Sequence, residues 1–205
     1  AGFQVARFIN SWMGGAAGRR IAVVAGAGNN GGDALVAARF LAQRGAQVVS
    51  LCLPPKDLSS LVANHAQTLR AMGIECVTLT TSFQVSADLI VDGLLGTGIR
   101  LPFREPVADL IAGINRSGVP VVSIDLPSGL DSESGEGDGD AVQAAATVTL
   151  GLLKPALRTA RCCGRLFLAD IGLPAALFVA QERAVSELYR KGDLLEISGA
   201  GQATS

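Results

Sequence analysis

A run of five purely apolar residues, Ile21–Ala25, stops at a glycine-rich turn, Gly26–Gly32, and gives way to an Ala- and Leu-rich stretch from Asp33 to Arg44. A strand that short with no polar alternation has no face to offer water. It suits a parallel sheet covered by helices on both sides. The unit recurs. Strands are expected at Gln47–Leu53, Cys76–Leu79, Asp88–Val91, Val119–Ile124, Thr147–Leu150 and Arg165–Ala169. Helices are expected at Asp33–Arg44, at Asp57–Met72 with an apolar stripe of Leu58, Leu61, Val62, His65, Leu69 and Met72, and at Pro106–Arg116. No element is assigned ahead of Ile21. Buried strands alternating with helices give an α/β fold, doubly wound around a mostly parallel sheet.

Length and composition narrow the reading. The 205 residues are 49% hydrophobic and 4% aromatic, with a formal net charge of −1. That suits one domain with a large aliphatic core. Scattered Lys and Arg leave no basic stripe for nucleic acid, and no apolar run approaches the roughly 20 residues of a membrane helix. Cys52, Cys76, Cys162 and Cys163 make no CxxC, and there is one histidine. Reduced thiols in a cytoplasmic protein are expected, rather than disulfides or a zinc site. The acidic segment 131–140 reads as a solvated loop, and the Ala-rich stretch Pro174–Tyr189 as a terminal helix. Residues 1–190 form the expected domain and 191–205 a tail or linker.

Three loops share the carboxyl edge of the expected sheet. Gly26, Gly28 and Gly31 satisfy GxGxxG between a strand and a helix, the setting of a dinucleotide-binding turn. An NAD-dependent dehydrogenase also places an acid at the end of the second strand to hold ribose, and Ser50-Leu51-Cys52-Leu53 has none. The turn instead carries Asn29, Asn30 and Asp33, more polar groups than a phosphate cradle needs, although Asp33 alone could serve as a helix N-cap. The fourth strand runs into Asp92 and the fifth into Asp125, each followed by a glycine-bearing loop. Asn, Asp and Ser oxygens without His or Cys suit a hard cation, and Gly96-Thr97-Gly98 offers backbone N–H groups to an anion as a nest. Lys154, after the sixth strand, could meet a phosphate or simply be solvated. His65 reads as a packed or boundary histidine.

NNGGD at Asn29–Asp33, DGLLGTG at Asp92–Gly98, DLPSGLD at Asp125–Asp131, TVTLGLLKP at Thr147–Pro155 and DIGLP at Asp170–Pro174 stand in one order over most of the chain. In that order they resemble the NAD(P)HX epimerase family, the YjeF N-terminal domain. The resemblance implies a Rossmann-like three-layer α/β/α sandwich that interconverts the S and R forms of hydrated NADH and NADPH with a bound potassium ion. It implies potassium ligands at Asn30, Asp92 and Ser128. It implies substrate contacts at Asn29, Asn30, Gly31, Gly32 and Asp33, at Gly96, Thr97, Gly98, Ile99, Arg100, Leu101 and Pro102, and at Asp125. Asp125 is the expected proton-transfer residue, giving a proton to the departing hydroxyl and recovering it as water re-adds.

The family's usual Lys-Pro-Gly is Lys154-Pro155-Ala156 here, followed by a loop expected to be trimmed at the surface. Ala1-Gly2 matches only the end of the family's opening Met-Glu-x-Ala-Gly, and the helix before that segment often contributes to a homodimer. The family also pairs, by fusion or separately, with an NAD(P)HX dehydratase. Two rivals remain: a transferase or reductase on the same scaffold, disfavoured by the absent ribose acid, and a non-catalytic nucleotide-binding or protein-interaction scaffold. The scaffold would be expected to lose Asn30, Asp92, Asp125 and Ser128, and all four are present.

Overall fold

A computed structural model describes residues 1–54, 57, 60–79, 83–99, 106–177 and 187–197. Eight strands form one sheet: β1 (Arg20–Ala25), β2 (Gln47–Cys52), β3 (Glu75–Thr78), β4 (Leu89–Gly93), β5 (Val121–Ile124), β6 (Ala146–Leu150), β7 (Arg165–Ala169) and β8 (Leu194–Ile197). Their order is β3-β2-β1-β4-β5-β6-β7-β8. All neighbours run parallel except β7 and β8. Among the described residues they are accompanied by the helices α1 (Gly2–Trp12), α2 (Asn29–Gln43), α3 (Leu61–Ala71) and α4 (Val107–Arg116).

Strand alternation divides the core in two. Ile21, Val23 and Ala25 of β1, with Leu89 and Val91 of β4, pack beneath α1, α2 and α3. Ala22, Val24 and Ile90 face the other way, onto Leu110, Ile111 and Ile114 of α4. The seven strands expected from the sequence are all present; buried apolar runs account for the central ones, while β3 is a largely exposed edge strand. Among the described residues no helix is long and apolar enough to cross a membrane.

Four local differences have physical causes. α1 lies where no element was assigned. Its Val5, Phe8, Ile9 and Trp12 repeat at helical spacing, and Phe8 and Trp12 meet Phe167 of β7 at ring-centroid distances of 4.5 and 6.0 Å. α3 starts at Leu61, not Asp57, because the Ser60 hydroxyl accepts from Ala63 N at 3.2 Å and caps it. Its buried stripe is Val62, Ala66 and Leu69, while Leu61 and Met72 are exposed; Leu58 lies outside the described residues. The acidic segment is tied down rather than merely solvated: Asp131 Oδ1 accepts from Glu133 N, Ser134 N and Ser134 Oγ, and Asp138 Oδ1 from Cys162 N. Finally, β8 extends the sheet where a tail was expected from residue 191. Its Glu196 takes a two-pronged bond from Arg165 of β7, at 2.8 Å for each nitrogen.

Of the expected helix Pro174–Tyr189, Ala175–Leu177 form a 3₁₀ turn and 178–186 lie outside the described residues. All four cysteines are free, three of them buried. Burial, with Cys76 alongside, pushes the Cys52 thiol up to about 11, which keeps it protonated and unreactive at neutral pH.

Candidate functional site

β1 leads by α2 to β2 on one side, whereas β4 leads by α4 to β5 on the other. The crevice outside the carboxyl ends of β1 and β4 is therefore the switch point of strand order, where open α/β sheets bind ligands. A cavity of about 600 Å³ opens there. Asn29, Asn30, Gly31, Asp33, Gly96, Thr97, Gly98, Ile99 and Asp125 line it. Gly32 is buried in the same turn. Arg100, Leu101 and Pro102 lie outside the described residues.

The glycine turn brings the helix to the cavity. Gly28 caps α2, and its carbonyl accepts the first helical bond, from Gly32 N at 3.1 Å. The N–H groups of Asn29, Asn30 and Gly31 thus have no helical acceptor and sit at the positive end of the helix dipole. Because the helix starts at Asn29, Asp33 is not its cap. Its Oδ1 accepts instead from Gly2 N of α1 at 3.3 Å. Burial raises the Asp33 carboxyl above its ordinary value, while the Gly2 bond pulls it back.

Two glycines make the turn possible. A Cβ on Gly26 would overlap the Leu94 carbonyl oxygen, and one on Gly31 would overlap that of Gly26. Gly26→Ala should cost about 1–3 kcal/mol, because neither neighbour is a side chain able to swing away. Urea melts of the two proteins measure it, and an unchanged midpoint would show that the two loops are not locked. Gly96 and Gly98 behave differently from expectation. Neither takes the left-handed backbone that an alternating-handed nest requires. Gly96 matters for closeness instead: a Cβ there would lie 3.3 Å from Asn30 Cβ.

Of the three expected cation ligands, Asp92 and Ser128 bond each other directly, and Asn30 is linked to them only through the Leu95 backbone. Asp92 is fully buried. Its Oδ1 accepts from Leu94 N at 3.2 Å and Ser128 Oγ at 2.6 Å; its Oδ2 accepts from Ser123 Oγ at 2.8 Å and Ser128 N at 2.9 Å. Ser123 belongs to none of the sequence motifs, yet the parallel register sets it directly beside Asp92. Burial pushes the Asp92 carboxyl up, against the pull of the Ser128 and Ser123 bonds. Ser128 Oγ also accepts from Leu95 N at 2.8 Å. The Asn30 amide nitrogen donates to Leu95 O at 2.5 Å and Ile124 O at 3.1 Å.

Asp125 caps β5 in an unusual conformation. Its φ is +66°, the one positive φ of a non-glycine among the described residues. Leu126 N donates to Ile124 O at 2.8 Å across it, which makes a strained γ-turn. Gly151, after β6, repeats the motif with φ +71° and a 2.8 Å bond from Leu152 N to Leu150 O. Every hydrogen bond the described residues make to the Asp125 side chain goes to Oδ1: from Leu150 N at 3.0 Å, Thr149 Oγ1 at 3.4 Å and the Lys154 ammonium. No hydrogen bond from the described residues reaches Oδ2, and Asp125 lines the cavity.

Comparison with known proteins agrees with this architecture. A family model described as YjeF-related protein N-terminus matches residues 1–156. The bifunctional NAD(P)H-hydrate repair enzyme Nnr of Mycobacterium tuberculosis is 40% identical over 173 residues, 84% of this chain and 35% of that protein. The protein of the same name from Mycobacterium leprae is 42% identical over 160 residues, 78% of this chain and 32% of its own. The chain thus spans about a third of the length of these curated relatives. In fold it is similar to the crystal structure of yeast ynu0, with a TM-score of 0.77 at 21% identity, over 96% of this chain and 87% of that one. With a family match over most of its length and a site assembled from the motifs at the sheet's switch point, this chain belongs to the YjeF-related N-terminal family.

Proposed function

We propose that this chain is an NAD(P)HX epimerase, which interconverts the S and R forms of hydrated NADH and NADPH. The observation that carries the reading is Asp125. Its carboxyl is gripped through Oδ1 and lines a cavity of about 600 Å³ beside a glycine turn and a helix N-terminus. Relatives named as NAD(P)H-hydrate repair enzymes support the same substrate.

In the hydrated ring one carbon bears both a hydroxyl and the ring nitrogen. Asp125 gives its proton to the hydroxyl, the carbon–oxygen bond breaks, and water departs. The nitrogen lone pair closes onto that carbon to leave an iminium-like cation. Water then adds to the opposite face and its proton returns to the carboxylate, so atoms and charge balance over the cycle. Asn29–Asp33, Gly96–Ile99 and Asp125 contact substrate in this reading, with Arg100, Leu101 and Pro102 assigned by family resemblance alone.

Potassium fits Asn30, Asp92 and Ser128. An amide N–H₂ aimed at two backbone carbonyls occupies the place a cation would take. Turning the Asn30 amide over brings its oxygen to face Leu95 O and Ile124 O beside Ser128 Oγ. Asp92 supplies a buried negative charge with no cationic side chain against it among the described residues. Held there, the ion would fix Asn30 and the floor of the cavity. Potassium at a hundred times its Kd should then raise stability by about 2.7 kcal/mol. Thermal melts against choline chloride at equal ionic strength test it, and identical melting temperatures would remove the ion from the proposal.

A dehydratase, fused or separate, is the natural functional partner, since the named relatives are bifunctional. It also provides the assay. The slow-converting epimer is supplied with an excess of S-specific dehydratase, and wild type is compared with Asp125→Ala and Asn30→Ala, with and without potassium. Faster consumption by wild type alone supports the reading. Equal rates for all three proteins overturn it.

A further inference from the structure

We propose that Lys154 is the positioning residue of the Asp125 carboxylate, not a phosphate anchor; this rests on the epimerase reading and adds the group that aims its proton-transfer residue. An ammonium has three N–H donors and no more. Here all three are committed inward: to Asp125 Oδ1, to Leu150 O at 2.8 Å and to Thr149 Oγ1 at 3.3 Å. None is left for a dinucleotide phosphate. The side chain is also mostly covered, with 18% of its surface exposed against 16% for Asp125. Asp125 and Leu150 line the cavity, and Lys154 is not among its lining residues.

The backbone prepares the pair. Twin γ-turns at Asp125 and Gly151 end the adjacent parallel strands β5 and β6, and both turn their chains sharply at the same edge. Gly151 is braced from outside, where the Tyr189 hydroxyl donates to its carbonyl. A Cβ at Gly151 would meet Leu173 Cδ1 at 2.5 Å, so the turn is closely packed as well. The turn carries Lys154 back toward β5, and Pro155 opens a 3₁₀ turn, Pro155–Arg158, that fixes its exit. With Oδ1 held by Lys154 and Leu150 N, rotation of the carboxyl is blocked and Oδ2 keeps one direction.

The two roles for Lys154 separate kinetically. Lys154→Met should lower kcat about 10²-fold, the size expected when a reacting group loses its alignment. KM and the Kd for NADPH, read by its fluorescence as a non-reacting probe, should stay within about threefold of wild type. Lys154→Arg, which keeps charge and donors, should recover part of kcat. Circular dichroism reports the fold of each variant, and Lys154→Gln, which retains an N–H₂ donor without charge, serves the same comparison if methionine unfolds the chain. A tenfold rise in KM and Kd with kcat intact would overturn the proposal in favour of phosphate binding. Unchanged kcat in Lys154→Met, beside an active wild type, would overturn it while leaving the epimerase reading in place. An inactive wild type would remove both.

Discussion

Asp125→Asn is expected to slow epimerisation by about 10²- to 10⁴-fold, the usual worth of a positioned proton-transfer group. Asparagine tolerates the left-handed backbone that this position demands, so the variant should fold as wild type does. The amide still accepts from Leu150 N, but it can no longer give and recover a proton at the face turned to the cavity. NADPH affinity should change little. The coupled dehydratase assay and a fluorescence titration on one preparation give both numbers. A variant retaining more than a tenth of wild-type turnover would show that another group moves the proton.

Asp92→Ala should remove about 3–5 kcal/mol of stability, a large fraction of the roughly 5–15 kcal/mol that a folded domain possesses. The truncation strands four donors at once in a buried place: Leu94 N, Ser128 N, Ser128 Oγ and Ser123 Oγ. Each orphaned group costs its desolvation, and the small cavity left behind admits at most partial repair by water. Urea unfolding measures the loss, with equal slopes confirming that the unfolded state is unaffected. Run without potassium, the experiment separates two jobs of the carboxylate. A loss that vanishes in choline chloride would mean that Asp92 serves only as counter-charge. A loss that persists means that it ties β4, β5 and the loop after β5 into one unit.

Much of this architecture was legible because it obeys periodicity. The strands β1, β4 and β5 are apolar runs of the length that burial on both faces requires, and their bounds shift by two residues at most from those read off the chain. The motifs gave the site's neighbourhood for the same reason: each spans or closely follows the carboxyl end of a strand. Other features depend on contacts that sequence does not carry. β8 is four residues long with Glu196 inside it, and only its antiparallel partner makes it a strand. α1 was readable in principle from Val5, Phe8, Ile9 and Trp12, whose spacing is the signal that would have found it. Ser123 is a serine inside an apolar strand, and its role emerges once register sets it beside Asp92. The Lys154–Asp125 pair joins residues 29 positions apart through two turns whose handedness no composition reveals.

The strained turn at residue 125 also offers a way to date a change of occupation among relatives. Glycine would relax that backbone, so any lineage freed from chemistry gains by drifting to it. On the epimerase reading, a relative with glycine at the matching position, on an otherwise intact sheet, is expected to have kept the shape and lost the reaction. On that reading, persistence of an acid there is the expected mark of natural selection accepting discomfort in exchange for turnover.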